Sequence, residues 1–158
     1  MSLEYAKYTA DTFFSKVDYC NEFVLIGGEP FLYKNLFEII EYIGEKYRSQ
    51  INIFSITTNG TIVPKDDILT LLRKYNVTLR VSDYSFSNPK LQIRYDLFYK
   101  KTKNCDVRIF ATKNDSWMDY GFGEIDRGAD INTLRGAFEL CNTPCREING
   151  SKYYYLNP

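Results

Sequence analysis

Nine residues, Phe23-Val24-Leu25-Ile26-Gly27-Gly28-Glu29-Pro30-Phe31, constrain this chain more than any other stretch. Four apolar residues in a row suit a strand covered on both faces, the pattern of a parallel sheet. The run then stops in a glycine pair, which lets the backbone turn sharply and approach a ligand where a Cβ would collide. Glu29 places a carboxylate at the lip, and Pro30 fixes the next φ while removing an N–H donor. A corner so rich in acceptors suits a cationic group such as a ligand ammonium, whereas a phosphate would require N–H donors at a helix start. Read alone, Gly-Gly-Glu-Pro is equally compatible with a plain tight turn between strand and helix.

The rest of the chain repeats this strand-then-turn pattern. Thr9 to Tyr19 reads as an opening helix, with Thr9 and Asp11 as cap candidates and Phe13 and Val17 on one face. Asn35 followed by Glu38 marks a second helix start, and Leu36, Ile39, Ile40, Ile43 and Tyr47 keep helical spacing. Ile51 to Thr57 is a second strand, ending in Ile56-Thr57-Thr58-Asn59-Gly60-Thr61. Pro64 then opens a helix that faces inward through Ile68, Leu71, Leu72 and Tyr75. Asp66 and Asp67 at its start and Arg73 and Lys74 at its end complement the helix dipole. Val77 to Val81 is a third strand running into Ser82-Asp83-Tyr84. Asn88-Pro89 caps a helix bearing Leu91, Tyr95 and Phe98, and Asp106 to Ala111 is a fourth strand.

Strand centres recur at roughly the 30-residue length of a βαβ unit. The predicted fold is α/β: a partial (β/α) barrel whose parallel sheet has at least four βα units joined by right-handed crossovers. Every strand then opens its carboxyl end on one face. Glu29, Thr58, Asn59, Ser82 and Asp83 converge there, on the side where such folds bind ligands. Beyond Ala111 the pattern is irregular. Trp117-Met118-Asp119-Tyr120-Gly121-Phe122-Gly123 reads as an aromatic loop that packs over the sheet or stacks on adenine or substrate. Thr133 to Leu140 suits a short helix, and Arg146 to Tyr155 a C-terminal hairpin turned at Asn149-Gly150.

Composition narrows the function classes. With 158 residues, the chain is expected to form one domain over 1–158, well short of the ~250 residues of a complete eight-unit barrel. The 20 basic and 20 acidic side chains cancel, so no general field draws nucleic acid or an anionic membrane. Lys100, Lys101 and Lys103, the only basic cluster, suit a solvated helix end. Histidine is absent, which excludes Ser-His-Asp and Cys-His catalysis and His-ligated zinc within this chain. No apolar run reaches the ~18 residues of a membrane span and no signal peptide is visible, so a cytoplasmic location is expected. Met1-Ser2-Leu3 reads as a vector-derived leader, with the natural chain expected to begin further upstream. Cys20, Cys105, Cys141 and Cys145 read as free thiols in such a compartment.

Together, Gly27-Gly28-Glu29-Pro30 and Thr57-Thr58-Asn59-Gly60, one βα unit apart, resemble the paired ligand turns of the radical S-adenosylmethionine (radical SAM) family. The resemblance runs from about Phe13 to Tyr155. It implies that Glu29 with the Gly27 and Gly28 carbonyls receives the methionine ammonium of S-adenosylmethionine, and that Thr58, Asn59, Ser82 and Asp83 bind ribose or carboxylate. It implies reductive cleavage of that cofactor to a 5′-deoxyadenosyl radical, which abstracts hydrogen from a small-molecule, sugar or peptide substrate. It also implies a four-iron, four-sulfur (4Fe-4S) cluster held by a Cys-x3-Cys-x2-Cys loop. That loop is missing, because Cys141 and Cys145 have the first spacing but Ile148 stands where a third cysteine would be. The absence reads as truncation ahead of the opening helix, with the chain alone expected to be inactive and the first strand's unpaired edge to promote self-association. Cys141-Asn-Thr-Pro-Cys145 and the following hairpin, residues 141–158, resemble the start of an auxiliary-cluster extension. The alternative is a non-catalytic α/β nucleotide-binding or protein-interaction module.

Overall fold

The computed structural model describes residues 1–113, 130–133, 135 and 146–155. Helix α1 spans Leu3–Phe14 and starts at Ser2, whose side chain accepts the Tyr5 N–H at 3.2 Å. It therefore begins well ahead of Thr9. Leu3, Ala6, Ala10 and Phe14 form its inward face, a spacing that carries the helix back to Ser2. Thr9 and Asp11 do not cap it: the Thr9 hydroxyl donates to the Tyr5 carbonyl one turn back at 2.8 Å. Asp11 reaches across to the next helix.

Strand β1 (Cys20–Leu25) is followed by α2 (Leu36–Lys46), β2 (Ile51–Thr58), α3 (Asp66–Lys74), β3 (Val77–Asp83), α4 (Gln92–Asn104) and β4 (Ile109–Lys113). The strands form one sheet in the order β1-β2-β3-β4, and every pairing is parallel. This order never reverses. Crossovers of one hand then place every helix on one face of the sheet, as in a barrel, with no switch point of the doubly wound kind.

Three boundaries differ from expectation for local reasons. Helix α3 begins at Asp66, because Lys65 keeps an extended backbone with φ −71° and ψ 160°. A 3-10 turn at Pro89–Leu91 precedes α4. Strand β4 begins at Ile109, because Asp106 has φ +55°, a left-handed conformation that ends α4 and cannot belong to a strand.

On the helix-covered face, Phe23, Phe54 and Val77 lie in register, as do Leu25, Ile56, Leu79 and Ile109. Phe54, Ile56, Leu79, Tyr95 and Phe98 are fully buried beneath α2, α3 and α4. The expectation that the first strand is covered on both faces fails. β1 lies at the sheet edge and its residues are only half-buried, with Ile26 beyond it 70% exposed. Phe23 packs on Phe13 and Phe14 of α1, with ring centroids 5.9 and 5.1 Å away, but the opposite face receives no helix from the described residues.

Helices α1 and α2 are joined by a polar clasp. Asp11 accepts the hydroxyls of Tyr42 at 2.7 Å and Tyr47 at 2.5 Å, and the Lys46 ammonium at 3.0 Å. Burial acts to raise the Asp11 pKa, but these donors outweigh it and hold the carboxyl below its usual range. Between α2 and α3, Gly44 lies so close to the Tyr75 ring that an added Cβ would overlap it. Gly44→Ala is therefore expected to cost about 1–3 kcal/mol despite alanine's better helix propensity. A thermal melt that shows no loss would contradict this packing.

Residues Arg146–Asn149 (β5) and Lys152–Tyr155 (β6) form the antiparallel hairpin. Asn149 pairs with Lys152, so the two-residue loop is Gly150-Ser151, one position later than the Asn-Gly reading. The Gly150 N–H donates to the Thr9 hydroxyl at 3.0 Å, which seats the loop on α1. The Trp117 to Gly123 loop lies outside the described residues, as do Cys141 and Cys145. Of the expected Thr133 to Leu140 helix, only residues 133 and 135 are described as helical, with 131 and 132 preceding them.

Candidate functional site

Because the strands are parallel, the turns after β1, β2 and β3 gather on one rim. At the first turn Gly27 and Gly28 are exposed, and a Cβ on either would meet nothing within 4 Å. Neither has a positive φ, so neither the packing nor the backbone of this chain demands glycine there. Gly60 is the opposite case. Its φ is +69°, and a Cβ would lie 2.7 Å from Val81 Cγ1 and 2.9 Å from Tyr95 Cε1. Glycine is obligatory at that turn.

Glu29 ties the first two turns together. Its Oε1 accepts the Phe31 N–H at 3.2 Å and the Thr58 hydroxyl at 2.8 Å, and its Oε2 accepts the Asn59 N–H at 2.8 Å. Thr58, almost fully buried, in turn accepts the Gly60 N–H at 3.0 Å. Asn59 Oδ1 accepts the Thr61 N–H at 2.9 Å and hydroxyl at 2.7 Å, an Asx turn that holds the loop. Pro30 is buried, opens a 3-10 turn over Pro30–Leu32, and so fixes the exit of the chain from the rim.

The third turn is fastened to α4. Tyr95 donates its hydroxyl to the Asn59 carbonyl at 2.8 Å and accepts the Tyr84 N–H at 2.9 Å. Asp83 Oδ1 accepts the Ser85 N–H at 2.9 Å, and Oδ2 accepts the Tyr99 hydroxyl at 2.9 Å. Burial pushes the Asp83 carboxyl up, but hydrogen bonds from Ser85 and Tyr99 and the field of Lys113 prevail and lower its pKa. Burial and the Asp83 carboxylate push the Tyr99 phenol well above its usual value, so it stays a donor. A carboxylate with a depressed folded pKa stabilises above its unfolded value, and that contribution is lost as pH falls through the folded value. Acid titration is therefore expected to show a stability loss beginning below roughly pH 4, and Asp83→Asn should reduce it while leaving the part that Asp11 contributes.

Every residue the sequence assigned to this rim lies on it. Glu29, Thr58, Asn59 and Gly60 form one hydrogen-bonded unit, with Gly27 and Gly28 ahead of it and Pro30 directly after Glu29. Ser82 and Thr57 instead point to the helix-free face of the sheet, and their hydroxyls have no hydrogen-bond partner among the described residues. Asp83 is turned to the helix layer. Tyr95 was read from periodicity as a core residue only. The signal that could have flagged its phenol was a tyrosine, with a hydroxyl to satisfy, at a fully buried position. Glu22 and Arg80 were also missed. They are charges in the middle of strands β1 and β3, and both lie on the helix-free face.

The implied iron–sulfur cluster does not fit the described residues. No group of three His, Cys, Asp or Glu side chains among them could hold a metal ion, and Cys20 and Cys105 are separate free thiols. No helix among the described residues is long and apolar enough to cross a membrane.

Parallel strands in unbroken order, with the turns at their carboxyl ends gathered on one rim, define an α/β domain of the partial-barrel kind. The family model of the radical SAM superfamily matches residues 1–103, and the chain belongs to that superfamily. No curated protein and no solved structure matches it.

Proposed function

We propose that the rim is the S-adenosylmethionine seat of a radical SAM enzyme. The observation that carries this reading is the open glycine pair beside a braced carboxylate. Gly27 and Gly28 leave free space that nothing among the described residues fills. Glu29 uses three of its roughly four acceptor sites on Phe31, Thr58 and Asn59 and keeps capacity for one more donor. A ligand ammonium fits that remaining site together with the glycine carbonyls. The Thr57 and Ser82 hydroxyls, without partners among the described residues, lie on the helix-free side of the same rim and suit the ligand's ribose or carboxylate.

The chain's own residues would bind and orient the cofactor; a 4Fe-4S cluster, which the described residues do not fit, would supply the electron for radical chemistry. Among the described residues no thiolates converge to hold that cluster. Without them only hydrogen bonds and adenine burial remain, so affinity should be weak, on the order of 1 mM or ~4 kcal/mol. Titration of the 15N-labelled chain with S-adenosylmethionine is the test. Shifts should cluster at the Gly27, Gly28, Asn59 and Gly60 amides, and shifts confined to other parts of the chain would remove the reading.

We further propose self-association through β1. Among the described residues that strand pairs on one side only, and Tyr19 and Ile26 at its ends are 61% and 70% exposed. An unpaired edge beside apolar side chains is a template for another strand. Sedimentation velocity should show dimers or larger species as concentration rises. A strict monomer throughout would count against it.

A further inference from the structure

The helix-free face of the sheet carries a charged arrangement that the rim does not use. Arg80 Nη2 donates to Glu22 Oε2 at 2.6 Å and lies 2.5 Å from Oε1, and the Ser55 hydroxyl donates to Glu22 Oε1 at 2.9 Å. Glu22 belongs to β1, Ser55 to β2 and Arg80 to β3, so the trio spans the width of three strands. It lies directly below the rim. Thr57 is the in-register neighbour of Arg80, and Ser82 stands two residues further along β3, about 6–7 Å away.

The ion pair is not something the fold requires. Its side chains remain 41% and 26% exposed, and pairs so open to solvent contribute little to stability. Apolar residues at the same positions would pack a sheet at least as well. What the arrangement does achieve is orientation. Glu22, itself fixed by Ser55, holds one guanidinium nitrogen, while Nε and Nη1 of Arg80 have no partner among the described residues. A planar guanidinium with free donors in a fixed fork is the group best matched to a carboxylate. Apolar side chains stand on the same face at both ends of the pair, Phe110 in register with Arg80 and Ile53 in register with Glu22, 62% and 36% exposed.

We propose that this face is the substrate floor and that Arg80 anchors a substrate carboxylate whose apolar body lies against Ile53 and Phe110. The assignment rests on the cofactor reading of the rim. It narrows the substrate class to small molecules or peptides that bear a carboxylate beside an apolar group. A strand-bracing role alone would predict no discrimination between such an acid and its neutral amide.

The experiment uses N-acetyl-phenylalanine and N-acetyl-phenylalanine amide as probes, with the labelled chain observed by NMR. The acid is expected to shift the Arg80 Nε–H resonance and the Ser55 and Thr57 amides, and the amide is not. Arg80→Gln should weaken acid binding by about tenfold or more, the loss of a charge-assisted hydrogen bond, while S-adenosylmethionine still shifts the rim. Arg80→Lys, which keeps the charge without the fork, should recover only part of the affinity. Equal response to acid and amide, or no response to either at ~10 mM, overturns the proposal, and because this readout uses the unaltered chain it does not depend on the variants folding. Rim shifts with S-adenosylmethionine but none at Arg80 would sink the floor and leave the cofactor seat. Acid shifts at Arg80 without rim shifts would keep the anion site and sink the cofactor seat.

Discussion

Anaerobic reconstitution of residues 1–158 with iron, sulfide and a reductant is expected to give neither the visible absorption of a 4Fe-4S cluster nor any 5′-deoxyadenosine from S-adenosylmethionine. The effect is all-or-none because its cause is stoichiometric. Such a cluster needs a set of thiolates converging on it, and the chain's four cysteines, Cys20, Cys105, Cys141 and Cys145, contain no Cys-x3-Cys-x2-Cys run. Cys20 is engaged with the Glu22 carbonyl at 3.0 Å, and burial raises its pKa, so it is a poor thiolate. A variant to which a Cys-x3-Cys-x2-Cys loop is added ahead of α1 is expected to form the cluster and the product. Product from the short chain would mean that its own residues assemble a cluster after all. An extended chain that forms a cluster yet makes no product would remove the enzyme reading while leaving the family membership intact.

The layered α/β fold was legible because its signals are local. Phe54 with Ile56, and Val77 with Leu79 and Val81, put apolar residues at every second position, the period of a strand with one buried face. Helix α2 repeats Leu36, Ile39, Ile40 and Ile43 on a face that is indeed buried. Parallel order then followed from alternation, and the shared rim from parallel order. The first helix was misplaced because its entry signal is a single serine, Ser2, and its inward face mixes Leu3 and alanines with aromatics. The start of β4 was misplaced because nothing in Asn104-Cys105-Asp106 announces a left-handed residue other than glycine.

The rim was legible as positions but not as bonds. Glu29 stood out because a carboxylate follows a glycine pair, yet its bonding to Thr58 and Asn59 joins residues about thirty apart in sequence. Such pairing depends on the lateral order of strands, which periodicity does not encode. Tyr95 shows the same limit, since helical spacing reports that it is buried and says nothing of the Asn59 carbonyl its hydroxyl meets. Glu22 and Arg80 were invisible for a related reason. Two opposite charges on strands not adjacent in the sheet are unremarked in a neutral chain until the register places them on one face.

Replacing Glu29 is expected to have the largest effect of any single substitution at the rim, and in two separable ways. Glu29→Ala leaves the Thr58 hydroxyl and the Phe31 and Asn59 N–H groups without their acceptor, at a cost of about 2–3 kcal/mol or a midpoint drop of roughly 5–10 °C. Glu29→Gln keeps the size but removes the charge. Its amide oxygen can still serve Thr58 and Phe31, whereas its NH2 would face the Asn59 N–H, donor against donor. The stability loss should therefore be smaller than for alanine but not zero. Ligand binding separates the clasp from the ammonium site. S-adenosylmethionine and 5′-methylthioadenosine share the adenosine part, and only the first carries an ammonium. If Glu29 receives that ammonium, Glu29→Gln should lower affinity for S-adenosylmethionine about tenfold or more and leave 5′-methylthioadenosine nearly unchanged. If both affinities fall together, Glu29 acts only by holding the Gly27-Gly28 turn against the Thr58-Asn59 turn, and the ammonium must be bound by the glycine carbonyls alone.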